Sequence, residues 1–379
     1  MENYGLTTVA EFLGDLLIYR NLQPIDHRLS GFREVAARIG LGGPTIPRKS
    51  EPTYARIVAF LLQRARALEP GASKIQRLVY IGDTRMNDGI AFANLCEAGK
   101  WPGIAFIGSE SEQPEQVELV AEAQRTLYLA NRWAALGDWY EEVRAAGFGG
   151  DEATAVLVDL DKTALGARGR NDGAIDAARV RAMLRTLRGA LGEGLDEAAF
   201  RAVYDPLNQP ARHCFTADNQ DYLAYITLMV AGGVFPAEDL WAELEAGTLA
   251  TVEEFAARCD ARRAAMGEGL RQAHDEVCQG IAAQDPTPFK AFRRREYLET
   301  VAAMDALPDD APVAEVLAQE IVLTEEVASL TRHLAAQGAL VMGLSDKPDE
   351  ASLPTPAHVA RGCRPLHRTR MKVYGDAVI

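Results

Sequence analysis

Four short apolar runs in this chain each stop at a cluster of Asp, Gly, Ser or Asn: LVYIGDTRMNDG at 78–89, WPGIAFIGSE at 101–110, ATAVLVDLDKTALG at 153–166 and ALVMGLSDKPDEA at 339–351. Each predicts a buried strand that leaves the sheet at a polar loop. GIAFANLCEAGK, between the first two runs, predicts a helix, and strands separated by helices imply a parallel sheet covered on both faces. In such a sheet the polar loops at the carboxyl ends of the strands share one edge, where ligands bind. Residues 111–148 alternate polar and apolar positions at helical spacing, with Trp133, Trp139 and Tyr140 on a packing face. The first residues, MENYGLTTVAEFLGDLLIYRN, read as an amphipathic helix, and RTRMKVYG near the end as one further strand. From 170 to 336 the pattern is almost wholly helical, which predicts a helical domain inserted between the second and third acidic strand ends.

Composition narrows the partners. Acidic residues outnumber basic ones 54 to 40, for a net charge of -14. This argues against a nucleic-acid polymer as ligand and leaves open a local basic pocket for a small phosphorylated molecule. The five cysteines, Cys96, Cys214, Cys259, Cys278 and Cys363, are scattered without a CxxC pair, so neither a disulfide framework nor a zinc knuckle is indicated. His213 beside Cys214 lacks the further ligands of a tetrahedral site. No run approaches the roughly 20 apolar residues that span a bilayer. The N-terminal segment also lacks the pattern of a signal peptide, and the expectation is a cytoplasmic protein without a membrane partner.

The strongest chemical motif is VLVDLDKT at 156–163. Asp159 and Asp161 stand two apart at a strand end, with Thr163 two further on. A carboxylate at Asp159 is able to attack phosphorus, and one at Asp161 to protonate the leaving oxygen and later activate water. Two carboxylates so close repel each other, and Mg2+ would relieve that repulsion while screening a phosphate. Asp83 and Asp88, in YIGDTRMNDG, have two readings, cation ligands or helix caps. Ser345, in LVMGLSDKP, is either a hydroxyl donor to a phosphoryl oxygen or a turn serine. A lysine is needed to balance charge; spacing leaves Lys49, Lys347 and Lys372 as candidates.

Together DLDKT, GLSDKP, RKSEPTY and GDTRMND resemble the haloacid dehalogenase-like hydrolase superfamily. The family's usual order runs from the nucleophile strand through the Ser/Thr strand and the lysine to the acidic metal loop; here the cyclic order is kept and the starting point moved, as in a circular permutation. The resemblance implies an α/β fold, a three-layer Rossmann-like parallel sheet formed by 1–166 and 338–379, with 167–337 as an all-helical cap. It implies Asp159 as nucleophile, Asp161 as acid/base, Ser345 and Lys49 on phosphate, and Mg2+ held by Asp159, Asp161, Asp83 and Asp88. Thr163, Lys347, His213, Asp218 and Asn219 are candidates for substrate contact, with Thr216 and the cluster Arg293, Arg294 and Arg295 beside them. Lys162 stands where the family often has glycine, and Asp161 favours phosphate transfer over halide displacement. The implied activity is Mg2+-dependent hydrolysis of a small phosphomonoester. A phosphomutase and a non-catalytic binding or scaffold protein stay open as alternatives.

Overall fold

The runs that the hydrophobic pattern marks as strands lie side by side in the computed structural model, which describes residues 1–42, 45–192 and 195–379. Ten strands are present among the described residues: β1 (Glu2–Thr7), β2 (Leu17–Ile18), β3 (Arg77–Gly82), β4 (Gly103–Gly108), β5 (Val117–Glu122), β6 (Arg125–Ala130), β7 (Thr154–Asp159), β8 (Leu323–Thr324), β9 (Leu340–Leu344) and β10 (Met371–Gly375). Seven form one sheet in the order β2-β9-β7-β3-β4-β6-β5, parallel throughout except for the edge strand β5. The chain is therefore an α/β protein with a mostly parallel sheet.

Strands β4, β7 and β9 are buried along their whole length, as continuous Val/Ile/Leu runs demand when helices cover both faces. On one face Leu78, Tyr80, Leu157 and Met342 pack with Ile57 and Leu61 of the helix Pro52–Arg66 and with Phe92 and Leu95 of the helix Ile90–Gly99. On the other, the Phe106 ring lies 5.6 Å from Trp139 in the helix Leu136–Ala145 and 6.1 Å from Trp133, both tryptophans fully buried as the packing reading expects. Each such side chain contributes about 1.5–3 kcal/mol through burial. The register sets Asp159 opposite Leu344 and Ile81 opposite Val158, so the loops carrying Asp159, Ser345 and Asp83 leave adjacent strands on one edge.

Two expectations of local structure need correction. Within 111–148 only Leu136–Ala145 is a long helix; 117–130 is the hairpin β5–β6, and β6 pairs in parallel with β4 from Gly103–Arg125 to Gly108–Ala130. Hydrogen bonding to an available sheet edge outweighs helical spacing here. The N-terminal segment is β1, the short helix Ala10–Leu13 and β2 instead of one amphipathic helix. The strand expected near the C-terminus is present as β10, in a separate three-stranded sheet ordered β1-β10-β8.

The chain divides into two compact units, 1–177 with 300–379, and 178–299. These bounds differ from the expected 167 and 337: residues 300–337, including β8 and the helix Glu325–Ala336, fold with the sheet. The unit 178–299 is all helical, with Phe200, Tyr225, Phe235, Phe255 and Phe292 in its core. Its helices carry their own start signals, such as the reciprocal capping box of Thr251 and Glu254. No described helix is long and apolar enough to cross a membrane.

Candidate active site

Asp159 ends the central strand β7 and is 5% exposed. Its Oδ2 accepts the Thr163 hydroxyl at 2.9 Å, and its Oδ1 accepts the Lys49 ammonium at 2.5 Å. The chain returns to offer Thr163 because Lys162 adopts the left-handed region at φ 67°, the conformation for which glycine is the ordinary choice. Main-chain bonds from Lys162 N–H to Leu165 O and from Leu165 N–H to Leu160 O, both 2.8 Å, close the turn. The Lys162 ammonium is itself held by Asp176 at 2.8 Å.

Lys49, 3% exposed, donates also to Asp88 Oδ1 at 2.6 Å. Asp88 is turned back toward the strand end by a wide helical turn, Arg85–Gly89, a local irregularity common at functional sites. A side chain at Gly82 would place its Cβ 2.6 Å from that of Asp88, so glycine is required there for the carboxylate to approach. The Tyr80 hydroxyl donates to Asp88 Oδ1 at 2.9 Å, while Oδ2 accepts the Asp83 N–H, the Thr84 N–H and the Thr84 hydroxyl at 3.0–3.1 Å. Asp83, also buried, accepts Arg168 Nε on Oδ2 at 2.5 Å.

Asp83, Asp88 and Asp159 each offer an oxygen within 4.8 Å of the others. Their ionisation reflects that crowding. Burial, with the charges of Asp159 and Asp88 behind it, pushes Asp83 up to about 9. Burial likewise pushes Asp159 up to about 7 against the opposing pull of Lys49. Burial alone would raise Asp88 too, but Lys49 and the surrounding donors hold it well below the usual carboxylate range. Lys49 stays charged: burial works against it, and Asp159 and Asp88 outweigh burial. A trio of hard oxygen donors that must otherwise store a proton is chemically suited to a small divalent cation.

No family model, curated protein or solved structure matches this chain. The site therefore has to be read from its own geometry.

Of the residues singled out in the sequence, Asp159, Asp83, Asp88 and Lys49 come into direct contact or close proximity. Asp161 lies outside the acidic trio; its carboxylate is partly open to solvent, with Lys347 Nζ 3.8 Å away. Asp161 lies in the turn that follows β7, two residues beyond Asp159. Ser345 directly follows the residue opposite Asp159, is buried, and its hydroxyl accepts the Lys347 N–H at 3.1 Å. Thr163 is fully buried against Asp159, which makes it a positioning group for that carboxylate rather than a surface for substrate. Of the three candidate lysines, Lys49 bonds Asp159, and Lys372 is buried on Glu320 at 2.7 Å, in the small sheet. In the helical unit His213 faces Asp218 at 3.5 Å, Asn219 caps the helix Gln220–Ala231, and Arg293 is committed to Asp221 and Glu296. Tyr80, Thr84 and Arg168 escaped the sequence reading, although Gly166 and Gly169 around Arg168 mark a loop of unusual backbone, with φ 61° and 76°.

Proposed function

We propose that this chain is a Mg2+-dependent phosphohydrolase that cleaves small phosphomonoesters through an aspartyl-phosphate on Asp159. The observation that carries this reading is the setting of Asp159: a buried carboxylate at the end of the central parallel strand, bonded to Lys49 and Thr163 and clustered with Asp83 and Asp88. The adjacency of β9, β7 and β3 further supports a haloacid dehalogenase-like core in circularly permuted order. The all-helical unit 178–299 enters the chain after β7 and returns before β9, which suits a cap inserted behind the nucleophile strand.

Asp159 and Asp83 would hold the cation, with Asp88 adjoining; Asp88 already accepts bonds from Lys49, Tyr80, Asp83 and Thr84, so its main work is to orient Lys49 and the strand-end loop. Bound Mg2+ would screen phosphate from the carboxylates. One oxygen of Asp159 attacks phosphorus, forming the acyl-phosphate bond as the bond to the leaving oxygen breaks. Asp161, on the open side of the turn, gives its proton to that oxygen and then, as carboxylate, takes one from the water that releases phosphate and restores Asp159. Lys49 and the Ser345 hydroxyl stabilise charge on the phosphoryl oxygens.

The test compares wild type with Asp159→Asn on an aryl phosphate and a phosphate-ester panel, with Mg2+ or excess chelator. Mg2+-dependent phosphate release, reduced more than about 10³-fold by the substitution, is the expected result. Equal rates for the two proteins under every condition would end the phosphatase reading.

A further inference from the structure

Arg168 is delivered to the site by its own main chain. Its N–H donates to Lys162 O at 2.8 Å, and its carbonyl accepts the Glu110 N–H at 2.8 Å and the indole N–H of buried Trp133 at 3.1 Å. The backbone passes so close to the end of β4 that a Cβ at Gly169 would meet Glu110 O at 2.0 Å. On the far side of that glycine, Arg170 is pinned by Glu110 at 2.9 Å and Glu326 at 2.8 Å. A guanidinium on so rigid a mount is a built part of the site, and it closes Oδ2 of Asp83.

The consequence lies in how many oxygens each carboxylate has left. Both oxygens of Asp159 accept protein donors, and so do both of Asp88. Asp83 is the member able to offer two oxygens to one ion, were Arg168 absent. Ca2+ takes 6–8 ligands and favours two-oxygen binding by carboxylates, whereas Mg2+ takes single oxygens in a tight octahedron. We propose that Arg168 is a metal-selectivity residue: by occupying one oxygen of Asp83 it limits that carboxylate to single-oxygen binding and makes the site prefer Mg2+ to Ca2+. The proposal rests on the metal-site reading above and is read out by binding, independently of turnover.

The experiment is calorimetric titration of chelator-stripped full chain with MgCl2 and with CaCl2, for wild type, Arg168→Gln and Arg168→Lys. In Arg168→Gln the Kd for Ca2+ should fall at least about tenfold relative to that for Mg2+, with Arg168→Lys between it and wild type. Equal changes for the two ions would mean that only charge had been removed, and would overturn the proposal. Should Arg168→Gln not fold, Arg168→Lys carries the comparison, and an unchanged ratio in it overturns the proposal. If wild type binds neither ion at about 10 mM, the cation site itself fails and this inference with it. Binding with an unmoved ratio defeats the inference alone.

Discussion

In the helical unit, Asp221 and Glu296 lie buried opposite two guanidiniums: Arg293 bonds both, at 2.7 and 2.6 Å, and Arg179 reaches Glu296 at 3.1 Å. In the sheet unit, three buried carboxylates, Asp83, Asp88 and Asp159, meet two cationic side chains, Lys49 and Arg168. In the first set each buried carboxylate faces a guanidinium, and the bonds tie the helix Lys290–Ala302 to Gln220–Ala231 and to Asp172–Leu191. The second carries surplus negative charge and stores a proton on Asp83 to tolerate it. Burial of charge is thus no sign of chemistry by itself. What separates a site from a strut is the missing counter-charge.

That contrast breaks or sharpens under substitution. The largest effect is expected for Arg293→Met, which strands Asp221 and Glu296 without their shared partner and should cost about 3–5 kcal/mol in denaturant unfolding. Mg2+ affinity of the folded fraction should stay unchanged; a parallel fall in affinity would show that the first set is not merely structural. Next in size is the pH dependence of Mg2+ binding. Asp159 and Asp83, pushed up to about 7 and about 9, must lose protons for the ion to bind, so affinity should rise with pH from 6 to 8, by up to about tenfold per unit for each proton released. Titrations in buffers of different ionisation enthalpy would reveal those protons, and a flat profile would contradict surplus charge.

The smallest effect is a gain. Because the folded-state value of Asp83 lies above its ordinary 3.8, the metal-free protein loses stability as pH rises between these two values. Asp83→Asn removes that ionisation and should raise the melting temperature of metal-free protein at pH 8 by roughly 2–4 °C while weakening Mg2+ binding. A lower melting temperature would mean that the bond to Arg168 outweighs the repulsion.

What was legible in the sequence follows from what each signal measures. The strands carrying Asp83, Asp159 and Ser345 stood out because burial on both faces leaves an unbroken apolar run, and leaving the sheet forces a polar stop. The hairpin β5–β6 was hidden for the opposite reason: β5 is an exposed edge whose Val117 and Leu119 face solvent. Its turn is also built on Ala123, at φ 50°, with no Gly or Asn to announce it. Lys49 was chosen among lysines only by the fold, since 110 residues separate it from Asp159. Tyr80 read as one more strand residue, and nothing in a linear pattern tells a buried hydroxyl with an acidic partner from one without.

The small sheet β1-β10-β8 turns the question from where atoms sit to when they meet. Asn3 bonds the Tyr374 hydroxyl across 371 residues, and β2 waits for β9 in the same way. Closing a loop of that length costs about 5 kcal/mol in chain entropy before any contact repays it. The neighbour that β7 needs on one side, and with it Ser345, belongs to the far end of the chain. Pairing so remote makes folding slow and late to commit, and β7 would then sit half-paired while the rest of the molecule takes shape.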